Sequence, residues 1–487
     1  MSTRSAALAD VIGEDGYLSL ARALKHDGQT ARLADEGELT GGRTPAKLAV
    51  IVIDDELQKD SFKIVLKRCP PPDGAPSEPL AHATALREAN KFRRHLVEQL
   101  RPPIDLDDGG CLVLQRLAGG EVGGTLGSML GGGRAGAHLP DACREVTQAV
   151  LHEWNPTAPG RPMKLSAFIG IRLGDRLSPG RNLRTWLDAR PGSGPDQLTV
   201  QLPDGSWAPN PVALATGGFD GDLNVDAILG RAHGDLNLGN VLLPQRLQAT
   251  DLVGFHLVDL AGYASSAPLT HDPAHLLLAV VGAELRELGA PARTATMWAL
   301  LDAEERDTSR GSAVLLDTIR EVTTVGRTWA KPSGRVKDWR MQTLLSFVTA
   351  GLMNAGRTFY LPDEREWFFL LAAHAGALYL DSAGVPVPAG ATPLPVDGSD
   401  ELASLLADIL AVEADEGAWE RVLDRLPPDL LPLRENDPRH HLIALLADHP
   451  ARAEALVAAL QAELPRSWGV QAFASELHAR KLYEFDD

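Results

Sequence analysis

His233-Gly234-Asp235-Leu236-Asn237-Leu238-Gly239-Asn240-Val241-Leu242-Leu243, followed by Phe255-His256-Leu257-Val258-Asp259-Leu260, is the stretch that decides how this chain is read. Residues 241–243 and 255–260 read as two short apolar strands, and the polar segment 244–254 turns the chain between them. A hairpin of this kind brings its open ends together. Asn240 enters the first strand and Asp259 lies near the end of the second, so both side chains can reach one ion. Asp235 precedes Asn240 with four residues between them. Phosphoryl transfer needs little more: oxygen ligands for Mg²⁺, and a carboxylate to orient the attacking hydroxyl. Asp, Asn and Gly are also common turn residues, and a lone Asp-x-x-x-x-Asn would carry little. The combination with two apolar strands and Asp259 is what points to chemistry.

Upstream, Gly41-Gly42 lies in a turn over 38–46. It is followed by the β-branched run 48–53 and by the alternating run 62–67, both of which read as strands. After Pro70-Pro71-Pro72 a helix is expected from about Pro79 to Leu100, with proline well placed near its start. A further strand covers 111–116 and ends at Gly119-Gly120. The order strand, strand, helix, strand describes a small sheet with one helix. The pattern then turns mostly helical over 135–190 and 272–382, with a hairpin over 197–210 turning at Asp204-Gly205.

The spacing Asp235…Asn240…Asp259 resembles the protein-kinase arrangement. The variant His-Gly-Asp-Leu-Asn-Leu-Gly-Asn, then Leu-Val-Asp-Leu-Ala, is more similar to the aminoglycoside phosphotransferase and choline-kinase branch of that superfamily. The branch usually has a histidine where Asn237 stands here. It often has an Asp-Pro ahead of a helix, as in His271-Asp272-Pro273-Ala274. The resemblance implies an α+β, two-lobed protein-kinase-like fold, with a small antiparallel-sheet N-lobe and a mostly helical C-lobe. It implies ATP and Mg²⁺ as cofactors, Asp235 as catalytic base, His233 as support for its loop, and Asn240 and Asp259 as metal ligands.

The same resemblance extends to the small lobe. Gly41, Gly42 and Thr44 would form the loop whose backbone approaches phosphates, since glycine admits the necessary angles. Their surroundings, 39–46, also look like the glycine loop of kinase-like domains in bacterial multi-protein conflict ("ternary") systems. Lys67 would bind the α- and β-phosphates; Lys63, four residues away on the same strand face, competes for that role. Glu88, near the middle of the expected helix, is preferred over Glu98 as the partner carboxylate. Residues 115–120 would join the lobes and meet an adenine through backbone.

The rest bounds the function. Segments 1–34 (amphipathic helix), 35–120 (N-lobe), 121–384 (C-lobe), 385–400 (a Pro/Gly-rich linker) and 401–487 (a small helical module) are expected in order. The formal charge, 47 − 65 = −18, does not favour broad contact with nucleic acid or anionic lipid. The cysteines Cys69, Cys111 and Cys143 have no CxxC spacing and suit a reducing cytoplasm. The N-terminus lacks an apolar signal region, and the longest apolar stretch, 367–380, is too short to span a membrane. Trp367-Phe368-Phe369 is read as core, and His440-His441 as a helix-surface pair. A cytoplasmic phosphotransferase acting on a hydroxyl of a small molecule or protein is the leading reading. A nucleotide-binding regulator without fast chemistry is the alternative, with the C-terminal helices as a place for a protein partner. No Ala-Pro-Glu separates Asp259 from Asp272, which favours a pocket built by helical insertions over a long activation segment.

Overall fold

The computed structural model describes residues 3–38, 47–71, 77–117, 124–130, 136–190, 192–203, 206–219, 221, 223–243, 254–301, 310–387, 421–422, 425, 450–464, 470–471 and 473–474. Gly41, Gly42, Thr44, Gly119, Gly120, Asp204, Gly205, His440, His441 and most of the expected linker and C-terminal module lie outside these residues. The chain divides into two compact units.

The first unit comprises 1–163, 225–285 and 298–346. It begins with helices α1 (Thr3–Ile12) and α2 (Glu14–Lys25). Strands β1 (Gln29–Glu38), β2 (Lys47–Asp55) and β3 (Asp60–Cys69) follow, then helix α3 (Glu78–Glu88), β4 (Ile104–Asp105) and β5 (Cys111–Arg116). The five strands form one sheet in the order β1-β2-β3-β5-β4, antiparallel throughout.

The continuous apolar run of β2 is explained by cover on both of its faces. Ala49, Ile51 and Ile53 pack with Ile64, Leu66, Leu112 and Leu114, and α1 and α2 lay Leu8, Ile12, Leu20 and Leu24 onto that face. Arg68 fastens this layer: its guanidinium donates to Ile12 O and pairs with Asp15 and Asp108. Val50 and Val52 point the other way and cluster with Ala34. Residues alternate in direction along a strand, so Lys67, one step from Leu66, belongs to this second face.

The helix expected over 79–100 is shorter. It ends at Glu88, because Asn90 takes a left-handed backbone (φ 47°) that an asparagine tolerates better than most residues. A 3₁₀ segment, Asn90–His95, and extended backbone at Leu96 complete the connection.

The unit continues with α4 (Leu139–Gln148), wound into a π turn over Ala149–Trp154, and β6 (Gly160–Lys164). After passing through the second unit the chain returns with β9 (Asn224–Ala232), β10 (Val241–Leu242), β11 (His256–Leu257), β12 (Ala264–Pro268) and α8 (His271–Glu284). β9 lies between β12 and β6. The sequence pattern marks none of β1, β4, β6 and β9 as a strand; β1 corrects the expected helical segment 1–34, whose helices end at Lys25. Asn155, buried after the π turn, accepts from Arg231 N (2.7 Å) and donates to Arg231 O (2.8 Å), acting as one more rung of that ladder.

The second unit comprises 164–224, 286–297 and 347–487. It holds α5 (Leu165–Leu173), α6 (Asn182–Asp188), the paired β7 (Thr199–Gln201) and β8 (Trp207–Pro209), and α7 (Pro211–Thr216). Helix α9 (Ala290–Leu300) runs from this unit into the first. Helix α10 (Ala313–Ala330) belongs to the first unit, and α11 (Val336–Ala355) continues from the first into the second. Helix α12 (Pro362–Ser382) and, in the C-terminal region, α13 (Pro450–Glu463) complete the second unit. Trp367, Phe368 and Phe369 are fully buried, as the core reading expects. Arg190 grips Glu366 through both Nε and Nη2.

The architecture is therefore α+β: a five-stranded antiparallel sheet near the N-terminus and a mostly helical remainder. Among the described residues, no helix is long and apolar enough to cross a membrane.

Helices α10 and α11 meet where Gly326 faces Trp339. A Cβ at 326 would stand 2.4 Å from the indole Nε1. Gly→Ala inside a helix ordinarily stabilises by about 1 kcal/mol. Here the clash should reverse the sign, and Gly326→Ala is expected to lower stability by about 1–3 kcal/mol in urea unfolding. A gain would show that the two helices do not pack this closely.

Candidate active site

The loop between β9 and β10 is held from beneath by α8. Asp272, in the first turn of that helix and buried, accepts from His233 N (2.6 Å) and Gly234 N (2.9 Å). Gly234 has φ +88°, which a side-chain residue rarely adopts. The His233 ring is fully buried. Its Nε2 lies 2.8 Å from Val258 O, and its Nδ1 accepts from Asp235 N at 3.2 Å. That pattern assigns the proton to Nε2, and the ring joins the loop to the end of β11.

Asp235 is the exposed tip of this construction, with its side chain 42% accessible. Its Oδ2 accepts from Asn237 Nδ2 (3.0 Å) and, more distantly, from Asn240 Nδ2 (3.4 Å). Its Oδ1 lies 3.4 Å from His275 Nε2 of α8. Asn237 Oδ1 accepts from Gly239 N (2.8 Å), so this asparagine both closes the loop and steadies the carboxylate. Asn240 Nδ2 donates to Asp235 O (2.8 Å), which leaves its carboxamide oxygen as the group available to a ligand.

β10 and β11 pair as the sequence pattern expects, with Val241 opposite Leu257. Val258 N donates to Asn240 O (3.1 Å), so the backbones carrying Asn240 and Asp259 run side by side. The hairpin is also tied to the sheet region: Val97 N donates to Leu257 O (3.3 Å), and Leu243 N donates to Gly124 O (2.8 Å). Asp259 has a left-handed backbone (φ 60°, ψ 60°), a conformation costing an aspartate about 1 kcal/mol or more. Gly262 lies so near the loop that a Cβ there would sit 3.2 Å from Gly234 C.

Lys67 faces this hairpin from β3. Its side chain is 6% exposed. Its ammonium lies 2.6 Å from Glu78 Oε1 and 3.4 Å from Asp259 Oδ1. Burial alone would push the ammonium's pKa down, but Glu78 and then Asp259 outweigh it and hold it above the usual lysine value. Burial raises the Glu78 carboxyl, against the pull of Lys67. Between the two lysines weighed from sequence, the structure separates their places: Lys63 is exposed and pairs with Glu36 (2.6 Å).

The carboxylate beside Lys67 is Glu78, in the first turn of α3, and not Glu88. β3 ends two residues after Lys67, and α3 is the next element of the chain. The start of the helix therefore lies nearest the lysine, and its C-terminal end is about 15 Å further along at 1.5 Å per residue. Glu88 instead accepts from Tyr263 Oη (2.8 Å), with Arg231 Nε 4.0 Å away. It ties the end of α3 to the segment after Asp259. Burial, then the bond to Glu88, pushes the Tyr263 hydroxyl well above its ordinary value. Glu98 is exposed and pairs with Arg116 (2.8 Å).

One carboxylate (Asp259) and one carboxamide (Asn240) on adjacent backbones suit a cation that keeps most of its water, as Mg²⁺ does. Among the described residues there is no group of three or more His, Cys, Asp or Glu that could enclose a metal by itself. The donors thus fit a metal shared with a phosphate ligand better than a resident structural ion.

Comparison with known proteins adds little to this geometry. No family model matches the chain, and no curated protein matches it. Among solved structures, the chain is similar to a "putative aminoglycoside phosphotransferase" from Ralstonia eutropha JMP134. The TM-score is 0.39 and the identity 11%, over 75% of this chain and 98% of that one.

Asp272 is expected to matter more to the loop than any residue at its surface. Asp272→Ala strands two buried amides and should cost about 2–5 kcal/mol, while Asp272→Asn keeps one acceptor and should cost about half as much. Chemical denaturation of the two variants checks the order. Equal and small losses would mean that the loop stands without this carboxylate.

Proposed function

We propose that this site binds a nucleoside triphosphate with Mg²⁺ and transfers its terminal phosphoryl group to a hydroxyl. The observation that carries the reading is the meeting of Lys67 with both Glu78 and Asp259, the latter 192 residues away along the chain. A buried ammonium with two carboxylates is a costly way to build a core, and an apolar side chain of similar volume would generally serve stability as well or better. Perturbed, mutually paired charges of this kind are concentrated at functional sites.

In this reading Lys67 binds the α- and β-phosphates, with Glu78 holding its amine in place. Asn240 and Asp259 hold the metal, which when bound neutralises phosphate charge. Asp235 accepts a hydrogen bond from the acceptor hydroxyl and takes its proton as transfer proceeds. Asn237 and His275 keep the Asp235 carboxylate aimed, and His233 and Asp272 keep its loop in place. Gly41, Gly42 and Thr44 are the proposed phosphate loop. A partner protein, if the chain has one, would use the helical region that includes α13.

Mg²⁺-ATP at one hundred times its Kd should stabilise the full chain by about 2.7 kcal/mol, seen as a rise of several degrees in the melting midpoint. Asp259→Ala should abolish the metal-dependent part of that rise. Asp235→Asn should keep the rise and slow ADP formation, with water as the surrogate acceptor, by about 10²–10⁴-fold. No rise with any nucleoside triphosphate would sink the proposal. A rise without ADP formation from the unaltered chain would move the site to the nucleotide-binding regulator.

A further inference from the structure

Cys69 closes β3 and Cys111 opens β5, and the two stand directly opposite each other in the antiparallel ladder. Gly110 O accepts from Leu106 N, and Leu114 O accepts from Leu100 N. The backbone groups of 110 and 114 therefore face away from β3, and those of Cys111, one step from Gly110, face toward it. Opposed residues that bond each other through their backbones stand about 5.5 Å apart, Cα to Cα. Disulfides bridge Cα separations of about 4.4–6.8 Å, most often about 5.5–6 Å. Directly opposed side chains leave the sheet on the same face. For this pair it is the face of Lys67, away from α1 and α2.

The two thiols differ in their surroundings. The neighbouring Cys69 holds the Cys111 thiol below its usual range, while Cys111 and burial push Cys69 up. Cys111 is also the more accessible of the two, whereas Cys69 is buried. The Cys69 sulfur has a second neighbour: it lies 3.9 Å from Glu78 Oε2, on the carboxylate that holds Lys67.

We propose that Cys69 and Cys111 form a reversible dithiol–disulfide site, with Cys111 attacking and Cys69 resolving, which reports to the Lys67–Glu78 pair. The oxidant is a low-molecular-weight disulfide. The Cys111 thiolate attacks one of its sulfurs. The small S–S bond breaks, a mixed disulfide forms on Cys111, and one small thiolate leaves. Cys69 gives its proton to that thiolate, and its sulfur attacks Cys111 Sγ. The Cys69–Cys111 bond forms and the second small thiolate leaves. Two protein thiols lose two electrons, and one small disulfide gains them.

Oxidation removes the S–H beside Glu78 Oε2. The carboxylate then has one fewer donor and holds the Lys67 ammonium more firmly against any phosphate. This last consequence rests on the nucleotide reading above; the disulfide itself does not.

The test uses the full chain under native conditions with oxidised glutathione. Peptide mapping without reductant should find Cys69 joined to Cys111 with the loss of two hydrogens, reversed by dithiothreitol. Cys69→Ser should stop at a glutathione adduct on Cys111, and Cys111→Ser should leave Cys69 unmodified. A lasting adduct on Cys111 in the unaltered chain, or no reaction at either thiol, overturns the proposal. In the oxidised chain Mg²⁺-ATP should bind about tenfold more weakly, the equivalent of one charge-assisted hydrogen bond, and recover on reduction. A disulfide that forms and leaves nucleotide affinity unchanged overturns the link to Glu78. Absence of nucleotide binding by the reduced chain tells against the phosphotransfer reading alone, since the mapped disulfide is read independently.

Discussion

The ammonium of Lys67 is the constraint on which the rest of the site depends. It sits almost wholly out of water, where an unpaired charge is prohibitive, so the fold has to bring carboxylates to it. Glu78 is brought by the helix that follows its own strand. Asp259 is brought by a hairpin that lies far along the chain. Meeting both needs fixes where α3 must begin and where the end of β11 must lie. Removing either carboxylate would leave charge in a place with no solvent to answer it.

The hairpin end is held by a second set of contacts that works by backbone satisfaction. Asp272 takes the two amides at the start of the loop, and His233 bridges the loop to Val258. Asn240 reaches back to the carbonyl of Asp235. The left-handed turns at Gly234 and Asp259 are conformations a free chain would avoid, and they persist because their surroundings leave no alternative. What emerges from this rigid base is one half-exposed carboxylate, Asp235, with Asn237 donating to one oxygen and His275 near the other. The thiol of Cys69 touches the same network from its other side, through Glu78.

Much of this was legible along the chain because the signals are local. The period-two run 62–67 places Lys63 and Lys67 on one face, and the hairpin 241–260 follows from two apolar segments around a polar turn. Glu88 is the instructive miss. It lies in the middle of a helix expected to run to Leu100, but the real helix stops at Glu88 because Asn90 turns left-handed, and its first turn is what comes closest to β3. Periodicity says which side of a helix is apolar; it does not say which turn of it lies against a given strand. Strands β6 and β9 were missed for a related reason. β9 is interrupted by Asp226 and Gly230, and its ladder is completed by Asn155, whose part cannot be inferred from its own neighbours.

By itself the sequence determined the α+β character of the chain, the succession β2, β3, α3, β5, and the spacing that places Asn240 and Asp259 at the open ends of one hairpin. These follow from side-chain period and turn chemistry, which act over a few residues. Only the tertiary structure decided that Lys67 is the buried lysine and Lys63 the exposed one, that Glu78 answers it, and that His275 and Asp272 support the Asp235 loop from α8. It also set Cys69 opposite Cys111. Each of these depends on register or on contact between segments tens to hundreds of residues apart, and the energy that selects them, the desolvation of charge and of backbone amides, exists only once the core has closed.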